Sequence, residues 1–369
     1  MKLLWLSWKD IKNPLAGGAE VVTDNLLTRL SRDGNEIILL TSGYINAKPE
    51  ETINGYKIIR VGGRWSVYYA VCKYYKANLL GWADIAIEEI NTIPFFSQYY
   101  LKEKSFLFFH QLCRQIWFFQ MFFPLSAVGY LLEPIYLWLL HKNKVITISE
   151  STKNDLARYG FKKDSIGVIS EGIVLEPLES LSSVKKYDKL TLLSLGAIRE
   201  MKRTDLQIKA FELAKEKFPE LQIKIAGGGK GKYFDKVMSL IQNSEYKNDI
   251  EYLGPVGMLS EEKIRLLQKS HLILVTSIKE GWGLIVTEAN SQGTPAAVYN
   301  IDGLRDSTKD GITGWVTDKN SPEGLAEKII EALSDPKKYE KIRSAGWDWS
   351  KGITFDQSYK DFLNIIKKR

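Results

Sequence analysis

The chain contains two successive series of short apolar segments that alternate with amphipathic ones, and this alternation constrains its fold more than any other feature. The first series includes KLLWLS, EIILLTS, GYKIIRVGG, ADIAIEE, SFLFFH, KVITIS and SIGVIS. The second includes KLTLLSLGAI, LQIKIAGGG, DIEYLGPV, LILVTS and TPAAVYN. Strands that alternate with helices are typical of parallel sheets covered by helices. The sequence therefore predicts two doubly wound parallel α/β domains.

The boundary between the two series is predicted within residues 175–188, LEPLESLSSVKKYD, a segment rich in Ser, Lys and Glu. We therefore predict an N-terminal domain over residues 1–178 and a C-terminal domain over residues 179–345. Residues 346–369 are predicted to form a terminal helical segment. A chain of 369 residues is long enough to build two such domains.

Composition places the chain among ordinary soluble proteins, with 44% hydrophobic and 26% charged residues. Its two cysteines, Cys72 and Cys113, suggest no disulfide framework and fit a reducing compartment. The apolar start of the chain is broken by charge and is interpreted as a first strand, not as a secretory leader. The formal net charge of +7 is spread along the chain, which does not favour a nucleic-acid partner. A solvated basic surface, an anionic membrane or an anionic substrate explains this excess equally well.

The stretch EGWGLIVTE, residues 280–288, is predicted to form the end of a strand, a Gly-rich turn and the start of a helix. Glu280 is expected at the mouth of the strand and Glu288 in the first turn of the helix. Between them, free backbone N–H groups at the helix start make an anion site. Such amides suit a diphosphate, and the carboxylates can accept hydrogen bonds from sugar hydroxyls. The motif therefore predicts a sugar-nucleotide site.

Two other turns carry residues suited to the same ligand. Gly17 and Gly18 in AGGAE open the first helix and allow close backbone approach, although a simple tight turn would show the same pattern. Lys202 in GAIREMKRTD is placed to meet a diphosphate, with Arg199 or Arg203 beside it. Ordinary surface basicity is the alternative interpretation of this second segment.

Polar residues also lie at or just past the predicted strand ends of the first domain. They are His110, Asp10, Glu88, Glu89 and Asn91. Ligands in open α/β sheets bind outside the carboxyl ends of the strands, so His110 is a candidate to contact a ligand and the other four are candidates to line an acceptor cleft. A buried histidine and ordinary loop polarity are the alternatives.

Residues 115–140, QIWFFQMFFPLSAVGYLLEPIYLWLL, contain one charged residue, Glu133, and many aromatic ones. The segment is long enough to consider a transmembrane helix, but its two prolines and its charge argue against a span. A buried helical hairpin of the α/β domain is one interpretation. A surface that enters a bilayer interface through Trp117, Phe118, Phe122 and neighbouring aromatic residues is the other.

No Asp-x-Asp pair, CxxC or HExxH motif occurs in the chain, and its three histidines form no metal-ligand pattern. Many metal-dependent sugar transferases hold a divalent ion between such an Asp pair and the diphosphate. We therefore expect neither a metal nor another cofactor. Lys and Arg side chains and helix amides would neutralise the leaving group instead.

The ordered motifs of the chain resemble those of the retaining glycosyltransferases of family 4, also called glycosyl transferases group 1, which have the GT-B fold. The matching segments are GGAE, VITISESTKNDLARYGF, GAIREMKR, IAGGG, EGWGLIVTEANSQGTP and GLRDSTKDGITGWV, and they span nearly the whole chain. The resemblance implies two Rossmann-like domains that face a central cleft, with the donor bound mainly by the second domain. It also implies that residues 346–369 cross back to the first domain.

The resemblance assigns roles to individual residues. Glu280 and His110 would lie near the donor sugar and its reacting face. Glu288 would bind the ribose hydroxyls of the nucleotide, and Lys202 the diphosphate. Backbone amides that would face the diphosphate or the donor sugar belong to Gly18, Gly283, Leu284 and Ile285. The family commonly has Gly-Arg-Leu where this chain has GAI at residues 196–198, so the arginine that partners the lysine is displaced.

We therefore expect a retaining, metal-independent enzyme of the hexosyltransferase type (EC 2.4). It would move a hexose or N-acetylhexosamine from a UDP- or GDP-sugar to a glycan or lipid-linked acceptor. The aromatic segment and the basic balance favour a cytoplasmic protein that is peripheral on the inner face of the cell membrane. One alternative is another sugar-nucleotide enzyme, such as an epimerase, which would convert the donor without an acceptor. A non-catalytic sugar-nucleotide-binding scaffold is the other.

Overall fold

The computed structural model describes residues 1–367, which form two compact units. Unit 1 contains Met1–Gly172 and Thr354–Arg369, and unit 2 contains Ile173–Ile353. The sequence predicts these boundaries at residues 178 and 345, so the structure assigns residues 173–178 and 346–353 to unit 2 instead. The final helical segment is therefore divided between the two units.

The strands are β1 (Lys2–Leu6), β2 (Glu36–Thr41), β3 (Glu50–Ile53), β4 (Tyr56–Arg60), β5 (Ile85–Ile90), β6 (Lys104–Phe109), β7 (Lys144–Thr147), β8 (Ile166–Val168), β9 (Thr191–Leu195), β10 (Gln222–Ala226), β11 (Ile250–Gly254), β12 (Leu272–Val275), β13 (Ala296–Val298) and β14 (Gly314–Val316). The α-helices are α1 (Gly18–Arg32), α2 (Val67–Asn78), α3 (Trp117–Gln120), α4 (Leu125–Leu140), α5 (Glu150–Arg158), α6 (Thr204–Lys215), α7 (Lys232–Asn243), α8 (Glu261–Lys269), α9 (Leu284–Ser291), α10 (Asp302–Ser307), α11 (Pro322–Ser334), α12 (Pro336–Ser350) and α13 (Phe355–Lys367). Short 3-10 helices lie at Ser97–Tyr99, Arg114–Ile116, Lys163–Ser165, Leu181–Ser183, Glu200–Lys202 and Lys247–Asp249.

Unit 1 is built on an eight-stranded sheet with the order β3-β4-β2-β1-β5-β6-β7-β8. All neighbouring strands are parallel except β3 and β4, which are antiparallel. The central strand β1 is almost wholly apolar and buried, as expected for a strand covered on both faces. The short strand β3 was not predicted, because its sequence EETI is half exposed and carries no buried apolar run.

Unit 2 is built on a six-stranded parallel sheet with the order β11-β10-β9-β12-β13-β14. A single apolar core joins this sheet to its helices and includes Leu193, Phe211, Ile273 and Trp315. The order of the strands changes direction between β9 and β12, so the loops after these two strands lie at the switch point where open α/β sheets bind ligands. The predicted fold class, two parallel α/β sheets, is confirmed.

Helix α13 packs against unit 1, to which it belongs. The Phe362 ring is buried, with its centroid 5.8 Å from that of Trp5 in β1. The Asp361 carboxylate accepts a hydrogen bond of 2.9 Å from the backbone N–H of Ser170. These contacts attach α13 to β1 and to the segment that follows β8.

Candidate donor and acceptor sites

The predicted strand–turn–helix at residues 272–291 is present, and glycines shape its turn. Gly283 precedes α9 with φ of +101°, and a Cβ atom there would lie 2.8 Å from the Leu304 side chain. A Cβ atom on Gly303 would lie 2.2 Å from the carbonyl oxygen of Glu280. Because both positions exclude larger residues, the loop is held tightly against α10. The first amides of α9 therefore have a fixed direction.

Glu280 is the centre of a polar cluster at this turn. Its Oε1 atom accepts hydrogen bonds from the Lys202 ammonium and, at 2.6 Å, from the Ser277 hydroxyl. The side chains of Glu280 and Lys202 are 17% and 26% exposed, so both remain reachable. Burial raises the pKa of Glu280, but Lys202, Ser277 and the charge of Arg199 outweigh burial and hold this pKa below its ordinary value. Glu280 is thus an ionised carboxylate at neutral pH.

The loop that carries Lys202 is attached to the end of β12. The Thr276 hydroxyl donates a hydrogen bond of 2.7 Å to the carbonyl oxygen of Lys202. The backbone N–H of Ile278 donates one of 2.9 Å to the carbonyl oxygen of Met201. These bonds bring together Lys202 and Glu280, which are 78 residues apart in the chain. Nothing in the sequence singles out the Thr276 and Ser277 hydroxyls, which link the two loops.

The two candidate arginines differ in surroundings. The exposed Arg199 acts on Glu280 through its charge, as the lowered pKa of Glu280 shows. Arg203 has a left-handed backbone, with φ of +54°, and its guanidinium lies 6.0 Å from the centroid of the Tyr299 ring. The structure therefore places the charge of Arg199 among those that act on Glu280, and the Arg203 guanidinium near the Tyr299 ring.

Glu288 lies in the second turn of α9, because the helix begins at Leu284; its expected position in the first turn was wrong. Both Glu288 and Lys263 of α8 are buried, and the Lys263 ammonium donates a hydrogen bond of 2.8 Å to Glu288 Oε2. Burial raises the pKa of Glu288, and Lys263 opposes that increase. Lys263 was missed, although it occupies the same buried face of α8 as Leu266 and Leu267. A lysine at an apolar position of an amphipathic helix was the available signal.

The Gly-rich turn of unit 1 contains a second buried carboxylate. Gly17 precedes α1, and its N–H donates a hydrogen bond of 2.7 Å to Glu20 in the first helical turn. Glu20 also forms an ion pair of 3.1 Å with Lys9. Burial raises the pKa of Glu20, while Lys9 and the Gly17 amide lower it. These contacts hold Gly17 and Gly18 at the helix start, next to the carboxyl end of β1.

Three of the five polar residues predicted at strand ends of unit 1 lie together. Glu89 Oε1 is 3.3 Å from His110 Nε2 and accepts a hydrogen bond of 3.1 Å from the Asn91 amide. Glu89 Oε2 accepts hydrogen bonds from the Trp5 indole and the Thr23 hydroxyl at 3.0 and 2.9 Å. Burial raises the pKa of Glu89, but His110 and the other donors hold it below its ordinary value. Glu89 and His110 therefore lie side by side at the strand ends of unit 1.

The other two strand-end carboxylates have structural partners. Asp10 forms a buried bidentate ion pair with Arg60, at 2.8 and 3.0 Å. Glu88 accepts hydrogen bonds from the backbone N–H groups of residues 95, 96 and 97. Because both carboxylates are enclosed and satisfied, these contacts favour a role in fixing loops over the expected contact of Asp10 with an acceptor.

The aromatic segment divides into a buried and an exposed part. Trp117 is buried: its ring covers Gly129, and its indole N–H donates a hydrogen bond of 3.0 Å to Glu133. Its predicted place on a membrane-facing surface is therefore wrong. Phe118 and Phe122 are exposed, as predicted for that surface. None of the helices described within residues 1–367 is both long and apolar enough to cross a bilayer.

Within residues 1–367, no group of three or more His, Cys, Asp or Glu side chains is arranged to hold a metal ion. Cys72 and Cys113 are not joined in a disulfide. The positive groups at the Glu280 cluster include Lys202, which donates to the carboxylate, and Arg199, whose charge lowers the pKa of that carboxylate.

Comparison with known proteins supplies the family. Residues 16–177 match the model of Glycosyltransferase Family 4, and residues 179–349 match that of Glycosyl transferases group 1. The chain is 24% identical, over its full length and 98% of the relative, to an uncharacterized glycosyltransferase of Methanocaldococcus jannaschii. It is 30% identical over 168 residues to the poly(glycerol-phosphate) alpha-glucosyltransferase of Bacillus subtilis. That match covers 45% of the chain but only 24% of the relative.

The crystal structure of Anabaena HepE in complex with UDP-glucose superposes on the chain with a TM-score of 0.74, at 14% identity and with full coverage of both chains. At this identity the likeness concerns the fold. The two family matches divide the chain where its two sheets divide, and the Glu280 turn lies inside the second match. The chain therefore belongs to the group 1, or family 4, glycosyltransferases and has the fold of the GT-B enzymes.

Proposed function

We propose that the protein is a retaining glycosyltransferase that moves a hexose or N-acetylhexosamine from a nucleotide sugar to a glycan or lipid-linked acceptor. The observation that carries the proposal is the Glu280–Lys202 pair beside the first amides of α9. An ionised carboxylate next to a lysine and a helix start suits the two charges that develop when a sugar leaves a nucleotide diphosphate.

In this mechanism the departing diphosphate lies at the start of α9. The amides of Leu284 and Ile285 donate hydrogen bonds to phosphate oxygens, and Lys202 supplies a full positive charge. An ammonium has three N–H donors, so Lys202 can contact a phosphate while it still bonds to Glu280. Arg199 adds positive charge nearby. These groups would neutralise the negative charge of the leaving diphosphate, as a divalent metal does in many other sugar transferases. We therefore propose a metal-independent reaction.

Glu280 acts on the sugar side of the same bond. Its low pKa keeps it negative, so it stabilises the positive charge that grows on the sugar ring as the bond to phosphate breaks. In this proposal Glu288 accepts hydrogen bonds from the ribose hydroxyls, and its hydrogen bond from Lys263 supports that role. His110, whose Nε2 atom lies 3.3 Å from Glu89, is a further candidate to contact the donor sugar.

The donor is proposed to be a UDP- or GDP-sugar. HepE, which shares the fold, was crystallised with UDP-glucose. This likeness favours a UDP-sugar over a GDP-sugar as the donor. The acceptor is proposed to be lipid-linked or otherwise close to a membrane, so that the protein works from the cytoplasm at the inner face of the cell membrane. The exposed aromatic residues Phe118 and Phe122 support this location.

The first test measures nucleotide release from a panel of UDP-, GDP- and ADP-sugars, with and without EDTA. Wild type is compared with Glu288→Ala and with Glu327→Ala, which changes an exposed residue of α11. We expect release from one donor, insensitive to EDTA, lost in Glu288→Ala and retained in the control. Loss of release in EDTA would contradict the metal-independent mechanism. Donor conversion without transfer would favour an epimerase, and binding without turnover a scaffold.

A further inference from the structure

Helix α4 has the opposite pattern from a helix on the surface of a water-soluble domain. Its polar residues Ser126, Glu133 and Tyr136 are buried. Every exposed side chain from residue 122 to residue 139 is apolar. These exposed residues are Phe122, Phe123, Pro124, Leu125, Val128, Leu131, Leu132, Ile135, Trp138 and Leu139. We call this set the α4 apolar face.

The buried side of α4 explains why the helix is held in this orientation. Glu133 accepts hydrogen bonds of 2.7 and 2.6 Å from the backbone N–H groups of Cys113 and Arg114, and a third from the Trp117 indole. The Tyr136 hydroxyl donates a hydrogen bond of 2.7 Å to the carbonyl oxygen of Thr92. Rotation of α4 to bury its apolar face would break these bonds. The exposure of that face is therefore part of the folded structure.

The size and composition of the face distinguish lipid from a protein partner. A helix of 16 residues is about 24 Å long, and the apolar face follows it from end to end. Protein interfaces are on average only about as apolar as the rest of a protein surface, with polar groups among the contacts. A face that exposes no polar side chain over this length fits acyl chains better. The helix is too short to span, so it would lie in the plane of the interface.

Charge identifies the kind of lipid. Unit 1 carries 24 Lys and Arg against 18 Asp and Glu, whereas unit 2 carries 27 against 26. Nearly all of the net charge of +7 therefore belongs to the unit that carries the apolar face. Two exposed lysines, Lys142 and Lys144, follow α4 directly, and the only acidic residue between positions 104 and 149 is the buried Glu133. This distribution is complementary to an anionic membrane surface.

We propose that the α4 apolar face inserts into the interfacial layer of an anionic lipid membrane, with Lys142 and Lys144 against the headgroups. Trp138, next to these lysines, would lie at the headgroup level, where its ring is favoured. This inference deepens the proposed function, because it names the surface through which unit 1 would meet a lipid-linked acceptor. The link to an acceptor rests on the proposed function. The membrane contact itself does not, since it needs no catalysis.

The test is co-sedimentation of the full chain, without any nucleotide, with vesicles of phosphatidylcholine or of an equal mixture with phosphatidylglycerol. We expect binding to the mixed vesicles that weakens as salt is added. The double variant Leu131→Gln/Trp138→Gln should bind them at least about tenfold more weakly. Lys142→Glu/Lys144→Glu should lose the preference for anionic vesicles. The control Ile45→Gln/Ile312→Gln changes two residues that are 90% and 57% exposed outside the α4 face, and it should bind normally.

Three outcomes would overturn the inference. Wild type could fail to bind either vesicle, or the Leu131/Trp138 variant could bind as wild type does. A dimer in light scattering that this variant dissociates would show that the face is covered by a second copy. Circular dichroism and the melting temperature establish that each variant is folded. Nucleotide release from the donor panel, measured without vesicles, is a separate readout: if it persists, the transferase proposal stands whatever the vesicles show.

Discussion

Lys263 of α8 and Glu288 of α9 form a buried ion pair of 2.8 Å, and it connects two helices that the sequence gives no reason to associate. Glu288 is the residue that we assign to the ribose hydroxyls. Its carboxylate lies where burial alone would favour the neutral, protonated form. The pair therefore opposes protonation of the carboxylate and holds it aligned before any nucleotide arrives.

The first prediction concerns this pair. Lys263→Met should weaken UDP or GDP binding by roughly tenfold near neutral pH, because the pKa of Glu288 rises further and its acceptor capacity falls. The loss should shrink as pH is raised and Glu288 ionises again. Calorimetric titration between pH 6 and pH 9 measures both effects.

Lys263→Arg should restore nucleotide binding, because an arginine at this position can also pair with Glu288. Lys269→Met, an exposed position on the same helix, is the control; an equal loss in all three variants would contradict the assignment.

A second prediction separates the two members of the Glu280 cluster. Glu280→Gln keeps the hydrogen bonds but removes the negative charge, so turnover should fall on the order of 100-fold while nucleotide binding is nearly unchanged. Lys202→Met should weaken nucleotide diphosphate binding as well as turnover. Steady-state kinetics and direct binding measure the two effects separately. Lys209→Met, an exposed position on α6, should behave as wild type. If Glu280→Gln lost only nucleotide affinity, its role on the sugar side would be excluded.

Glu171 gives a prediction about pH and stability. Burial raises the pKa of this carboxyl to about 8 from an ordinary value of 4.5, against the opposing effect of the Gly172 amide. Between these two values the folded state holds a proton that the unfolded state has released. Stability should therefore fall as pH rises from 4.5 towards 8, with a slope of at most about 1.4 kcal/mol per pH unit from this group. The contribution is fully present below pH 4.5 and lost above pH 8.

The test replaces Glu171 with Gln, which keeps the shape and cannot ionise. Urea unfolding from pH 5 to pH 9 should show a flatter profile for Glu171→Gln than for wild type, with the largest gain in stability at the high end. Glu179→Gln, an exposed neighbour, should reproduce the wild-type profile. A gain for Glu171→Gln at pH 5 as large as that at pH 9 would contradict the raised pKa.

Lys186 gives a prediction about stability alone. Its ammonium lies within 2.8 Å of four acceptors in unit 2, which are the carbonyl oxygens of residues 268, 270 and 293 and the Thr294 hydroxyl. Lys186→Met would remove one donor from each of these acceptors, although Arg343 still donates to the carbonyl oxygen of residue 293 and Thr294 to that of residue 270. Unit 2 should therefore lose about 2 kcal/mol of unfolding free energy. The adjacent Lys185 is exposed and pairs with the exposed Asp188, so Lys185→Met is a matched control. Chemical unfolding of both variants measures the difference, and equal stabilities would show that the contacts are not needed.

Much of the fold was predictable from the sequence, because apolar period and length alone distinguish strands from helices in a parallel α/β protein. Helix α1, for example, was predicted over residues 19–34 with Gly34 as its stop, and it is observed at Gly18–Arg32. The elements that were missed lack this signal. Strand β3 is a half-exposed edge, and β14 has only three residues. β3 pairs with β4 across the Asn54-Gly55 turn and β14 pairs with the three-residue β13, so each was missed because it lacks an apolar run and not because its partner is distant.

The candidate site was only partly predictable. Glu280 and Glu288 were found from their own spacing around a Gly-rich turn, and Lys202 from its position after β9. Their partners Ser277 and Lys263 were not, because a serine in a loop and a lysine on a helix have many ordinary uses. Asp10 and Glu89 look alike in the sequence, because both follow or end a strand, but they have different surroundings. Asp10 pairs with Arg60, whereas Glu89 lies beside His110.

The sequence by itself determined the two parallel sheets, the Gly-rich turn with its two glutamates and the family, because each strand, helix and motif is a pattern of residues close together in the chain. Only the tertiary structure decided which charges pair, that the charge of Arg199 acts on Glu280, and which side of α4 faces outward. In residues 117–140 the composition permitted either a buried hairpin or a membrane surface. The hydrogen bonds of the buried Glu133 select the orientation, since a carboxylate inside the protein requires donors and its helix turns to meet them.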